Sequence, residues 1–246
     1  MILEVKGLSS SFGDLKVLDN VSFSLEPKVL CALIGVNGAG KSTLFNVITG
    51  LFKGNGGKVF FDGIDITNLA AYTISSMKLS RTFQIVSIFN RLTLFDSVQS
   101  AVMSGNGKTL DFFSRGAGIF KERVLQLLDL VGLVDKAYWL SSTLSHGDKK
   151  RLELAIALAN DPKMLLLDEP TAGMALDETG EIMSLVKKLR DELGVTIFFV
   201  EHDMRAVFGW AERVIVLHQG NVFVDGLPMD IKNNKKVQEI YLGSGA

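Results

Sequence analysis

The sequence predicts an α/β fold with an antiparallel β group near its N-terminus and a helix-rich middle. Three observations carry the prediction. A glycine-rich segment, GVNGAGKST at residues 35 to 43, lies between the apolar run VLCALI and the helix-like stretch LFNVITGL. Two unbroken apolar segments, KMLLLDE at 163 to 169 and VTIFFVE at 195 to 201, each end in acid. Between and before them run stretches whose apolar residues recur at helical spacing.

In chain order, ILEVKGL, KVLDNVSFSL and GKVFFDGIDI read as antiparallel strands, and the alternation in VSFSL puts Val21, Phe23 and Leu25 on one face. The glycine-rich segment has the form G-x-x-x-x-G-K-[ST] after a strand and before a helix, which gathers backbone N–H groups around an anion at a helix N-terminus. Gly35, Gly38 and Gly40 allow backbone angles and close approaches that a side chain would block. Asn37, Ala39 and Thr43 complete the cradle, Lys41 brings a cation to the outer phosphates, and the Ser42 hydroxyl is a ligand for Mg²⁺. GNGG at 54 to 57 and SGNGK at 104 to 108 mark turns.

Val124, Leu127, Leu128 and Val131 form one helical stripe, and Leu152, Ala155, Ile156 and Ala159 form another, both in the middle of the chain. The two acid-terminated segments read as parallel strands buried on both faces, with functional groups at their C-terminal ends. Residues 177 to 193 form the crossover helix between them, with Ile182, Leu185, Val186, Leu189 and Leu193 inward. Asp177, Glu178 and Glu181 lie early in it and Lys187, Lys188 and Arg190 late, as the helix dipole favours.

The 246 residues suffice for one large domain, or a core with one inserted lobe. With 26 basic against 27 acidic residues there is no general electrostatic footprint for nucleic acid. Cys31 is the only cysteine and lies inside an apolar run, so it reads as a buried, inert thiol in a chain that suits a reducing compartment. No run approaches the ~20 apolar residues that span a bilayer, and the N-terminus lacks a signal-peptide pattern. Yet 47% of residues are hydrophobic, which leaves room for an apolar docking surface.

The DE pair at 168 and 169 supplies phosphoryl-transfer chemistry at a strand end. Asp168 would hold Mg²⁺ through its hydration shell, and Glu169 would orient or deprotonate the attacking water. An isolated pair of this kind also fits a solvated strand end; the phosphate cradle is what gives it weight.

Four further segments, RTFQ at 81 to 84, LSHGDKKRLELA at 144 to 155, ALDE at 175 to 178 and VEHDM at 200 to 204, give the chain a resemblance to the ATP-binding subunits of ABC transporters over essentially its whole length. That resemblance implies a P-loop NTPase core with an N-terminal antiparallel β subdomain and an inserted helical subdomain, the core lobe spanning about residues 1–84 and 160–246 and the helical part about 85–159. It implies ATP and Mg²⁺ as ligands. Gln84 would sense the γ-phosphate, ligate the metal and touch the membrane subunits. Ser145 and Gly147 would cap ATP bound to a second ATPase subunit, with Asp177 in the loop between the two sites and His202 contacting γ-phosphate and water. Phe12 matches the aromatic that stacks on adenine, although a phenylalanine beside a strand is core about as often. His146 and His218 are left as structural.

The common signature LSGGQ is here LSHGD, with His146 and Asp148 in the places of glycine and glutamine. Asp148 adds a negative charge that is unfavourable unless it points away from phosphate. RTFQIVSIFNRLT, LSHGDKKRLELAIALA, DEPTAGM, VEHDM and the closing YLG look most like subunits energising uptake of branched-chain amino acids, with urea, amides and other amino acids left open. A soluble ABC ATPase of DNA repair or translation is the rival, as is a nucleotide-binding module without turnover. The resemblance implies transmembrane permease partners, a homo- or heterodimer of ATPase subunits and a cytoplasmic, peripheral location on the inner face of the membrane, with no nucleic acid. Apolar residues between 84 and 98, Phe89, Leu92 and Leu94 among them, are expected to form the docking patch.

Overall fold

The computed structural model describes residues 1–82, 91–105 and 120–242. Strands β1 (Leu3–Phe12), β2 (Leu15–Leu25) and β3 (Leu30–Ile34) precede helix α1 (Lys41–Ile48). They are followed by β4 (Gly56–Phe61), β5 (Ile64–Asp65), α2 (Ala71–Ser76) and β6 (Leu79–Arg81). The middle of the chain carries α3 (Leu94–Gly105), α4 (Lys121–Leu130) and α5 (His146–Leu158). The remainder alternates: β7 (Met164–Asp168), α6 (Leu176–Leu193), β8 (Thr196–Val200), α7 (Met204–Trp210), β9 (Arg213–His218), β10 (Asn221–Gly226), α8 (Pro228–Lys232) and α9 (Lys235–Leu242).

Two sheets form. The antiparallel sheet has the order β2-β1-β4-β5, and in it Val21, Phe23 and Leu25 pair with Leu8, Val5 and Leu3, all buried. The second sheet has the order β10-β9-β3-β8-β7-β6, parallel except for the β9–β10 hairpin.

Burial on both faces explains the unbroken apolar runs. In β3, Cys31 and Leu33 face the antiparallel sheet and α1, whereas Leu30, Ala32 and Ile34 face the opposite core. In β8 the division is Phe198 and Val200 against Ile197 and Phe199. Phe198 joins three elements, its ring centroid 5.6 Å from that of Phe23 in β2 and 5.2 Å from that of Phe45 in α1. The phosphate-loop helix is thus clamped between sheets. Burial pushes the Cys31 thiol far above its ordinary pKa, in keeping with an inert residue.

Leu94, Phe95, Val98 and Val102 of α3 join the core with the buried stripes of α4 and α5, so Leu94 is core and not part of a docking patch. Their spacing from Leu94 is helical, which the shorter-range alternation of the segment obscures. Leu92 is half-buried, and Phe89 lies outside the described residues. Leu193 is also a correction: it is 50% exposed. Helix α6 ends at that residue, with Gly194 left-handed at φ 65° as its C-cap. No helix among the described residues is long and apolar enough to cross a membrane.

Candidate functional site

The cradle is built by close backbone approach. A Cβ on Gly35 would lie 2.3 Å from the Leu217 carbonyl oxygen of β9, so the chain passes there only as glycine. Gly40, at φ 104°, turns the chain into α1 beneath the Val17 carbonyl, which would meet its Cβ at 2.9 Å. Helix α1 opens at Lys41, and its first turn holds no acidic side chain. The N–H groups there have no intrahelical acceptors, and the helix dipole has no carboxylate to complement it.

The Lys41 ammonium, buried with its residue only 6% exposed, donates to the carbonyls of Gly35 at 2.7 Å and Val36 at 3.2 Å. Burial lowers its pKa from the ordinary lysine value, while the Glu169 and Asp168 carboxylates act in the opposite sense. Around it lies a cleft of about 240 Å³, lined by Val17, residues 37 to 43, Glu169 and His202. Asn37, Gly38, Ala39, Gly40, Ser42 and Thr43 therefore meet Glu169 and His202 in one cavity. Val17 in β2 is an addition that its sequence, an ordinary strand residue, gave no reason to single out.

Strands β7 and β8 deliver the acidic end, with Asp168 paired to Val200 in parallel register. Glu169 adopts a left-handed φ of 49° and donates its N–H to the Val200 carbonyl at 3.0 Å. Its Oε1 is 3.1 Å from His202 Nε2. Asp168 is held from the other side, its Oδ2 accepting from Arg81 at 2.6 Å. Arg81 in β6 also donates to Asn46 of α1 at 2.6 Å and lies 5.5 Å from the centroid of the Phe45 ring. One guanidinium links the metal-ligand candidate to the phosphate-loop helix.

Ser145, Gly147 and Asp177 do not line this cleft. Ser145 caps α5, its hydroxyl accepting from the Asp148 N–H at 3.2 Å. The Asp148 carboxylate pairs with Lys136, which compensates its charge within the chain. His146 Nε2 lies 2.9 Å from the Ala172 carbonyl oxygen in the loop after β7. A Cβ on Gly147 would meet nothing within 4 Å, so packing among the described residues does not require glycine there. Asp177 is exposed in the first turn of α6. Phe12 is 49% exposed and packs edge-on against Phe52, centroids 5.5 Å apart, outside the residues that line the cleft. Gln84 lies outside the described residues.

Among the described residues no group of three or more His, Cys, Asp or Glu side chains forms a metal cage. The Ser42 hydroxyl and the Asp168 carboxylate are hard oxygen donors, and a sparse set of this kind suits Mg²⁺, which keeps several waters and takes further ligands from phosphates.

A family model described as ABC transporter matches residues 18–172. The chain belongs to the ABC transporter family. It is 36% identical over 98% of its length, and 98% of the relative's, to the high-affinity branched-chain amino acid transport ATP-binding protein LivG of Escherichia coli strain K12. Its fold matches a crystal structure of the ADP conformation of an ATP-binding cassette of an ABC transporter, with TM-score 0.89, 30% identity and 98% of both chains covered. A dimeric cassette in a post-hydrolysis state bound to ADP and Pi matches with TM-score 0.78 and 28% identity, over 92% of this chain and 98% of that one. The chain is thus an ABC ATPase homologous, end to end, to the ATP-binding subunits of branched-chain amino acid importers.

Proposed function

We propose that this chain binds ATP with Mg²⁺ in the cleft of α1, hydrolyses it in a dimer of such subunits, and thereby drives import of branched-chain or related amino acids through transmembrane permease partners. The observation that carries the reading is the convergence of Lys41, Glu169 and His202 on one cleft at a helix N-terminus. Within it, the core lobe comprises about residues 1–84 and 160–246 and the helical subdomain about 85–159.

The N–H groups of residues 38 to 43 and the Lys41 ammonium bind the phosphates, and Phe12 takes the adenine ring. Ser42, Asp168 and Gln84 would hold Mg²⁺, which neutralises charge on the phosphate oxygens. Glu169 orients the attacking water and accepts its proton, while His202, hydrogen-bonded to Glu169, stabilises charge that develops on the γ-phosphoryl oxygens. Such electrostatic positioning supplies most of the catalysis in phosphoryl transfer. Ser145 and Gly147 cap the nucleotide of the second subunit, and Asp177 lies between the two sites; the unobstructed surface at Gly147 and the dimeric relative support this.

Leu94 being core, the permease contact is better served by the cleft of about 470 Å³ between α2, β6, α3 and α5, lined by Tyr72, Ser76, Arg81, Ala101, Ser104 and Asn160. Tyr72 there is 81% exposed. That contact holds the chain on the inner face of the membrane. Purification in mild detergent tests the whole reading. Retention of a membrane-protein pair, with ATP-dependent uptake of leucine by the reconstituted assembly, supports it. Retention of ribosomes or nucleic acid would replace it with a soluble ATPase, and uptake of urea or amides alone would change the solute.

A further inference from the structure

Glu201 directly follows β8 and precedes His202, yet it does not line the nucleotide cleft. The residue is 3% exposed. Burying a carboxylate is costly unless its oxygens are hydrogen-bonded, and an apolar side chain would fill the same place without that cost. Here both oxygens are used. Oε1 accepts from the Thr171 N–H at 2.8 Å and from the Thr171 hydroxyl at 2.7 Å, and Oε2 accepts from the His202 N–H at 3.1 Å.

The carboxylate therefore joins two loops that leave neighbouring strands. One carries Glu169 and Thr171 out of β7, the other carries His202 out of β8. Apart from this link, the backbone bond from the Glu169 N–H to Val200 ties the first loop to the end of β8. That bond lies before His202 and fixes Glu169 alone, whereas Glu201 grips the backbone of the histidine itself. Hydrogen bonds from N–H and O–H groups to a buried carboxyl oxygen fix direction as well as distance. The outcome at the surface is the 3.1 Å approach of His202 to Glu169, between two side chains that are themselves only partly buried.

We infer that Glu201 is a positioning residue for hydrolysis, which sets the His202 imidazole against the Glu169 carboxylate by anchoring both loops. The inference rests on the roles given above to Glu169 and His202. Thr171 is its counterpart on the first loop and acts through the same carboxylate. Glutamine at position 201 keeps one acceptor but turns an amide N–H₂ toward one of the donors, so it satisfies Thr171 or His202 and not both. Alanine satisfies neither.

A mutant cycle on the full-length chain tests this. At saturating ATP and Mg²⁺, Glu201→Ala lowers kcat about 10-fold or more, the scale for misplacing a catalytic group, while KM for ATP changes less than about twofold. Glu201→Gln falls between it and the parent. In a His202→Ala background the Glu201→Ala loss disappears, because a residue that acts through the imidazole has nothing left to position. Thr171→Val, which removes a single hydroxyl, repeats the pattern at about threefold and carries the test if the alanine variant does not fold. Full loss from Glu201→Ala or Thr171→Val in the His202→Ala background, or an equal rise in KM, overturns the inference and makes Glu201 a general structural residue. A His202→Ala variant with the parent's kcat overturns instead the reading of His202 on which the inference stands.

Discussion

The imidazole of His146 is 2.9 Å from the carbonyl oxygen of Ala172, so the first turn of α5 is tied to the loop that leaves β7. Glycine, the residue of the common signature at this place, has no group to make that bond. His146 is therefore a local brace between two loops, each of which the proposed dimer would use. His146→Gly releases it. The expected result is faster amide exchange in residues 171 to 176 with a stability loss of about 1 kcal/mol, the typical net value of one hydrogen bond. Unchanged exchange in that loop would show that the bond contributes nothing in solution.

Glu169 and Lys41 should fail at different steps. Glu169→Gln keeps nucleotide affinity and lowers turnover by at least ~10²-fold, the scale for a positioned base. Lys41→Ala loses affinity itself, because the ammonium that faces the cleft is gone. Equilibrium binding of a fluorescent ATP analogue and steady-state hydrolysis separate the two, and near-normal turnover by Glu169→Gln would remove Glu169 from its role.

The Glu169→Gln variant is also the probe for association. With ATP bound and not consumed, light scattering should report a dimer, since the γ-phosphate becomes a ligand shared between cradle and signature. Adding Gly147→Arg, where the chain itself leaves open space, should return the protein to monomer without altering its melting temperature. A variant that dimerises regardless places the interface elsewhere.

Asp65 gives a pH dependence away from the site. Hydrogen bonds from the Thr67 hydroxyl and N–H, with Lys58 beside it, lower its pKa to about 2. A group depressed below its unfolded value of about 3.9 stabilises the fold above that value and ceases to do so as pH falls toward the folded pKa. Asp65→Ala should therefore lower the melting temperature at pH 7, and the gap from the parent should close between about pH 4 and pH 2. A gap that persists at pH 2 would assign the effect to the turn backbone.

The cradle, the paired acids and the division into antiparallel and parallel strands were legible because each is written locally: a glycine spacing, an apolar run, an alternation. Contacts that join distant segments were not. Arg81 meets Asp168, and Thr171 meets Glu201, through packing that brings β6, β7 and β8 side by side, and no local pattern in RTFQ or VEHDM announces the partner. The compensation of Asp148 by Lys136 is likewise invisible until a short helical turn brings Lys136 to α5. Leu94 was misread for the opposite reason. The apolar residues around it satisfy a strand-like alternation over a short window, and only the longer spacing through Val98 and Val102 shows the helix whose inner face they occupy.

The left-handed backbone of Glu169 sets turnover against heat resistance. A glutamate with φ of 49° costs on the order of 1 kcal/mol relative to a residue that adopts this region readily. Asparagine is such a residue. Glu169→Gln keeps the strain and loses the charge, whereas Glu169→Asn loses both, so the second should melt about 2–4 °C above the first while hydrolysing no faster. Directed evolution for thermal tolerance alone, in cells that do not depend on the transporter, would then discard the very side chain proposed to activate water, and survivors carrying asparagine or glycine at this position would be sturdier and idle.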